Sequence, residues 1–279
     1  MLIPNCWTTP FEKKILKFQH AISNDFGNVM YQVAYSAERT MQTVAYSDAH
    51  CHLNLFADPK KAVEDALANG VELIVTAGGG KADNTAVLSL LSDNVFGVVG
   101  IDPEHIQEAQ AVEEIKGIVE KSRNVIGIGE IGLDKKVANN EEYYKREIAL
   151  FEKQLELAEK LDLPVVIHSR NALDDVLALL SNFKLRAMFH FFEGDEKYVE
   201  KIKEHSHIIS IPPVETSRRN RAIKGMPLSN IVIETDAPVV GKDIIDVMKS
   251  ASIVAKIKGI SIEEVAEATT ENLRNFFYI

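Results

Sequence analysis

Cysteine is almost absent. Cys6 and Cys51 are the only two in 279 residues, too few for a disulfide framework, which fits a reducing compartment. No apolar run approaches the ~18 residues that a membrane span needs. The opening stretch has no progression from basic to apolar to small residues, so no secretory leader is expected and a cytoplasmic protein is predicted. Positive charge is scarce as well: 31 Lys and Arg against 41 Asp and Glu leave a net charge of −10. That balance argues against broad, sequence-independent wrapping of nucleic acid, which needs a basic face. It leaves room for a pocket whose charge is set locally by bound cations.

What is present is an alternation. Hydrophobic residues make up 46% and charged residues 26%, an ordinary globular balance. Eight short runs rich in Val and Ile read as strands: Val44–Leu53, Val71–Ala77, Val95–Ile101, Val125–Leu133, Pro164–Ser169, Arg186–Phe192, His207–Pro212 and Asn230–Thr235. They are apolar on both faces, as strands of a covered parallel sheet must be. Helical spacing fills the gaps: Ile148, Phe151, Leu155 and Ala158 form one stripe in Tyr143–Leu161. Pro59 suits a helix start, Gly70 its stop, and Ser261 with Glu264 is spaced as a capping box. Eight such units predict an α/β protein, a (β/α)8 TIM barrel over residues 44–279, with a doubly wound open sheet as the alternative. Residues 1–43 fall outside the repeat. They hold Pro4, Pro10 and Gly27, and Met41 lies just before the first strand; the segment is read as a disordered arm or a start-site artefact.

The chemistry sits where strands run out. His50 and His52 end the first strand, Glu130 lies in GIGEIGLD, His168 in VVIHSR, His190 in MFHFF and Asp236 in IVIETDAP. A barrel gathers all its strand ends on one face, so residues far apart in sequence meet there. Two residues apart on a strand, His50 and His52 share a face, and Cys51 between them points away as a core residue. A glutamate ending an apolar strand needs a cation, since burial unpaired costs several kcal/mol. Imidazole and carboxylate together suit Zn²⁺ or Mn²⁺. A single carboxylate such as Asp236 can both bind metal and accept a proton from water. The residues thus predict a metal-dependent hydrolase.

Taken together, SDAHCHL, GEIGLD, VVIHSR, HFFEG, IVIETDAP and the closing TTENLRNFF resemble the TatD family of metal-dependent deoxyribonucleases, amidohydrolase-like TIM barrels, from about Tyr46 to Phe277. The resemblance implies two divalent ions, Mg²⁺, Mn²⁺ or Zn²⁺. One would be held by His50, His52 and Asp236, and Glu130 would bridge to a second held by His168 and His190. Glu130 and Asp236 would act in catalysis, Asp236 orienting and deprotonating the attacking water. It also implies a DNA substrate, trimmed from the 3′ end of single strands, with RNA a further candidate; neither a membrane nor an obligate protein partner is expected. Asp134, Glu193 and Arg170 lie in the same motifs, and Arg170 is a candidate phosphate contact. The chain departs from the family pattern at Asp102, where a histidine is usual and His105 follows three residues on. It departs again at Phe191, Val239 and Val240, which bear on substrate choice rather than on the ligands.

Two basic features remain. Arg218, Arg219 and Arg221 follow the seventh strand and are candidates for backbone contacts to nucleic acid. Gly78–Lys81 lacks P-loop spacing and reads as a tight strand-to-helix turn. The same site could instead hydrolyse an ester, lactone or amide, aminoacyl-tRNA included, because fold does not choose the bond. A non-catalytic scaffold is the third reading, disfavoured because all six ligands are present.

Overall fold

The computed structural model describes residues 44–279, and the expectations for residues 1–43 lie outside them. Eight strands alternate with helices in chain order: β1 Tyr46–Cys51, α1 Pro59–Ala68, β2 Val71–Ala77, α2 Lys81–Leu90, β3 Val95–Val99, α3 Val112–Val119, β4 Val125–Asp134, α4 Glu141–Leu161, β5 Val165–Arg170, α5 Leu173–Leu180, β6 Ala187–Phe189, α6 Val199–Glu204, β7 Ile208–Ile211, α7 Ser217–Gly225, β8 Ile231–Ile233, α8 Val247–Lys258 and α9 Ile262–Phe277. All seven neighbouring pairs are parallel and follow sequence order. This is the barrel, not the open sheet. It is drawn shut by hydrogen bonds from the segment after β8 to β1: Asp236 N to His50 O at 2.9 Å and His52 N to Ala237 O at 2.8 Å.

The helices start where their caps predict. Asp58 accepts from Lys61 N ahead of Pro59, Asn140 from Tyr143 N, and Ser261 from Glu264 N. Each helix lays its apolar stripe on the strands, and Ile74, Phe151, Leu155 and Ile167 belong to this outer core. Cys51 is buried in it, its thiol directed at Val75 O. The barrel interior holds a second core, in which Leu73, Ile126, Met188 and Ile208 meet Leu273, Phe276 and Phe277 of α9. The closing helix thereby plugs the floor. Asn272, from TTENLRNFF, fastens it there with bonds from its amide to Leu228 O and Ile231 O.

Pairing slips at four places, two of them between Asp48 and Cys51 on β1 and between Ile128 and Ile131 on β4. These two fall at the upper strand ends, at His50 and Glu130. Bulges at such places re-aim side chains. Several strands are shorter than the sequence suggests, β6 most of all. It stops at Phe189 because Phe191 takes left-handed backbone, φ +44°, and leaves His190 at the lip.

Candidate metal centre

The six side chains predicted from strand ends converge at the top of the barrel. His50 is fully buried, Glu130, His190 and Asp236 nearly so, while His52 and His168 are half-buried at the mouth. His50 Nε2 and His52 Nε2 are 3.3 Å apart. Glu130 Oε2 lies 3.4 and 3.7 Å from them, and Asp236 Oδ1 lies 3.8 and 3.3 Å from them. Ligand atoms about 2.1 Å from a tetrahedral ion stand roughly 3.4 Å from one another. Each carboxylate oxygen therefore stands from the two imidazole nitrogens at the spacing of a coordination shell.

The other oxygen of Glu130 faces the other way. Oε1 is 2.8 Å from His168 Nδ1 and 2.9 Å from His190 Nε2, with the two ring nitrogens 3.4 Å apart. Glu130 thus spans two groups of nitrogen ligands, one oxygen to each. Its neighbours make room for it: Gly132 sits at φ +149°, and a Cβ there would fall 1.9 Å from His168 O. Only glycine lets β5 approach this closely.

The electrostatics show what the cluster lacks. Burial pulls every imidazole down and every carboxyl up. Against that pull, hydrogen bonds with Asp134 and Glu130 carry His168 up to about 10, and Asp236 with Glu130 carries His52 up to about 9. Glu130 and Asp236 are held below the usual carboxylate range by the surrounding imidazoles. His50 cannot join in: burial, then repulsion from His190, push it down to about 4, and the two rings stack with centroids 4.1 Å apart. Nδ1 of both His50 and His190 is buried without a hydrogen-bond partner among the described residues. A donor set that can balance its carboxylates only by crowding imidazolium ions together fits divalent cations.

Outer groups aim the inner ones, as they do at metal sites generally. Asp134 Oδ2 lies 3.0 Å from His168 Nε2, and the other oxygen accepts from Lys136 N and Val137 N. Glu147 of α4, fully buried, accepts from Asp134 N at 3.0 Å. Asp48 joins β1 to β8 by accepting from Thr235 N and bonding to the Thr235 hydroxyl. Glu234 is the group that sequence reasoning missed. It is fully buried, accepts from Phe191 N and Ser210 Oγ, and sits 3.9 Å from His190 Nδ1. Burial pushes its carboxyl up to about 7. Its one signal was position, two residues before Asp236.

The candidate substrate contacts divide. Arg170 lines the cleft, 3.8 Å from Asp134 Oδ2. Arg219 is turned inward, 1% exposed, its guanidinium bonded to Phe192 O and Val214 O and stacked on Phe191. It braces the β6 and β7 loops and has no face to offer a phosphate. Arg221 points outward to Glu196, and Arg218 lies near Asp195. The cleft over the cluster has a volume of about 600 Å³. Its far wall is the turn Gly78–Gly80, where an added Cβ on Gly79 or Gly80 would meet Asp102 Oδ2 at 2.0 Å or the His105 ring at 2.9 Å. The glycines seat that pair, joined at 2.9 Å, and the hydrogen bond that His105 Nδ1 donates to Asp102 raises the imidazole to about 9.

Comparison with known proteins agrees with this picture. A family model described as TatD-related DNase matches residues 47–278. An uncharacterized metal-dependent hydrolase of Methanocaldococcus jannaschii is 30% identical over 251 residues, 85% of this chain and 98% of that protein. Human deoxyribonuclease TATDN3 is 30% identical over 262 residues, 84% of this chain and 95% of that one. Among solved structures, YjjV, a TatD homologue from Escherichia coli, aligns at TM-score 0.77 with 23% identity, covering 85% of this chain and 100% of its own, a likeness of fold.

Proposed function

The chain belongs to the TatD-related DNase family of metal-dependent hydrolases, and on that premise we propose that it hydrolyses phosphodiester bonds of DNA at a two-ion centre. The observation that carries this is the split of Glu130, one oxygen directed at His50 and His52 and the other at His168 and His190. His50, His52, Asp236 and Glu130 Oε2 would hold one ion, and His168, His190 and Glu130 Oε1 the second. Bound there, Mg²⁺, Mn²⁺ or Zn²⁺ would supply an acidified water and charge compensation for the phosphoryl oxygens.

The chain's own groups do the rest. Asp236, held ionised and fixed by the hydrogen bond its backbone N–H donates to His50 O, aligns the attacking water and takes its proton. Asp134 fixes the ring of His168 from behind, and the Glu234 carboxyl stands behind His190. Arg170, at the lip, meets a non-bridging phosphate oxygen. The attack breaks the P–O bond to the leaving sugar and leaves a phosphomonoester on the other fragment. The direction of trimming, from the 3′ end of single strands, is part of the same reading and comes from the family resemblance.

The test is hydrolysis of an end-labelled single-stranded DNA oligonucleotide by metal-stripped protein resupplied with Mg²⁺, Mn²⁺ or Zn²⁺, beside Asp236→Asn. A ladder shortening from the 3′ end in the wild type and missing from the variant is expected. Metal uptake without cleavage of DNA would overturn the nuclease reading and move the substrate to esters, lactones or aminoacyl-tRNA.

A further inference from the structure

Beside the main cleft lies a second cavity of about 290 Å³, which shares Ser169, His190 and Glu193 with it. The two differ in charge. Outside the metal cluster the main cleft has two basic side chains on its walls, Arg170 and His105, against Asp83, Asp102, Glu104 and Glu193. The side cavity has Lys135, Lys197 and Arg218 against Asp174 and Glu193. In a chain of net charge −10, this side cavity carries more basic than acidic side chains.

Those cations are only partly spoken for. Lys135 is paired with Asp175 at 2.6 Å. Arg218 stands 3.7 Å from Asp195, its one carboxylate neighbour within ion-pair distance among the described residues. Lys197 has no carboxylate within ion-pair distance among the described residues, and its ammonium lies 4.5 Å from the Tyr198 ring centroid. Asp174 is engaged by the Tyr198 hydroxyl at 3.0 Å. Ser169 Oγ, on the wall between the cavities, is buried with no hydrogen-bond partner among the described residues. An unpartnered hydroxyl and two loosely held cations around a small polar cavity are what an incoming anion would complete.

We propose that this side cavity holds the phosphate next to the scissile one, with Lys197, Arg218 and Ser169 as its contacts, so that the substrate is a strand with at least two phosphates. The inference rests on the phosphodiesterase reading and deepens it. Sequence alone grouped Arg218 with Arg219 and Arg221 as one basic run; the structure instead places Arg218 on a cavity wall with Lys135 and Lys197, which come from other loops.

The experiment compares wild type with Lys197→Ala, Arg218→Ala and the charge reversal Lys197→Glu. All are surface changes on short loops and the start of α7. Steady-state rates are read on a thymidine dinucleotide with one phosphate and on the trinucleotide with two. The wild type is expected to prefer the trinucleotide, and each variant to lose that preference by about tenfold. The salt slope of trinucleotide binding should fall by roughly one for each contact removed. An equal loss on both substrates, or none on the trinucleotide, overturns the inference. Anisotropy of a labelled trinucleotide reads the cavity without turnover. Weakened binding by a protein that hydrolyses no phosphodiester would overturn the nuclease reading alone, and unchanged binding would overturn the cavity's role whatever the rates.

Discussion

The floor and the mouth of the barrel are built from the same strands and share almost no chemistry. On β6, Met188 joins the apolar plug, and His190, two residues on, joins the metal cluster. Val232 at the floor and Glu234 near the mouth stand in the same relation around β8. Below, side chains interdigitate with Leu273, Phe276 and Phe277 of the closing helix, and water leaves because apolar surface is covered. Above, imidazoles and carboxylates are also buried, but burial there costs free energy that only a cation can return. Within two residues, from Met188 to His190 or from Val232 to Glu234, the interior passes from a region that holds the molecule together to one that strains it. Stability and chemistry are kept apart along the barrel axis, so each should be alterable without the other.

Three changes would break or sharpen that separation. The largest effect is expected at the mouth. Glu130→Ala removes the one group facing both halves of the cluster. Turnover should fall by roughly a thousandfold or more, about 4 kcal/mol of barrier, and bound metal should drop at both positions, with little change in the melting temperature of the stripped protein. A full metal complement in the variant would end the bridging assignment.

Next comes the floor. Phe277→Ala should lower unfolding stability by about 3 kcal/mol or more through the cavity it leaves, while metal content and rates per folded molecule stay as in the wild type. Chemical denaturation alongside metal analysis reads both. If metal affinity falls together with stability, the two ends are coupled and the separation is false.

The smallest effect is a pH dependence at the base of β7. His207 is nearly buried, its Nδ1 accepts from Ala187 N, and burial, then repulsion from the neighbouring His205, lower it from 6.5 to about 4. The unfolded chain takes up that proton first as pH falls. The stabilisation is therefore whole above about pH 6.5 and drains away toward pH 4, by at most about 3 kcal/mol. Denaturation midpoints from pH 7 to pH 4.5 should decline less steeply in His207→Gln than in the wild type. Parallel curves would show that this ring does not hold the neutral state proposed for it.

The barrel was legible in the chain because runs such as ELIVTA and VVIHS can be buried on both faces only in a covered parallel sheet. The gathering of His50, His52, Glu130, His168, His190 and Asp236 followed from that, since the architecture brings strand ends together. What the sequence hid depends on what waits across a gap. Arg219 looks like its neighbours in SRRNR, and only the carbonyls of Phe192 and Val214 draw it inward. Glu234 looked like part of the strand leading to Asp236; its burial and its partners Phe191 and Ser210 come from two other strand ends. Helical periodicity puts Glu147 on the buried face of α4, but nothing local says that Asp134 N lies opposite.

The clasp between the two ends of the barrel also imposes an order in time. His50 and His52 belong to the first strand made and Asp236 to the last, and Asp236 N and His52 N bond across that seam. A chain growing on a ribosome has made five of the six, His50, His52, Glu130, His168 and His190, before residue 236 emerges, and Asp236 completes the set. An activity that needs Asp236 beside His50 and His52 is complete only once that seam has closed.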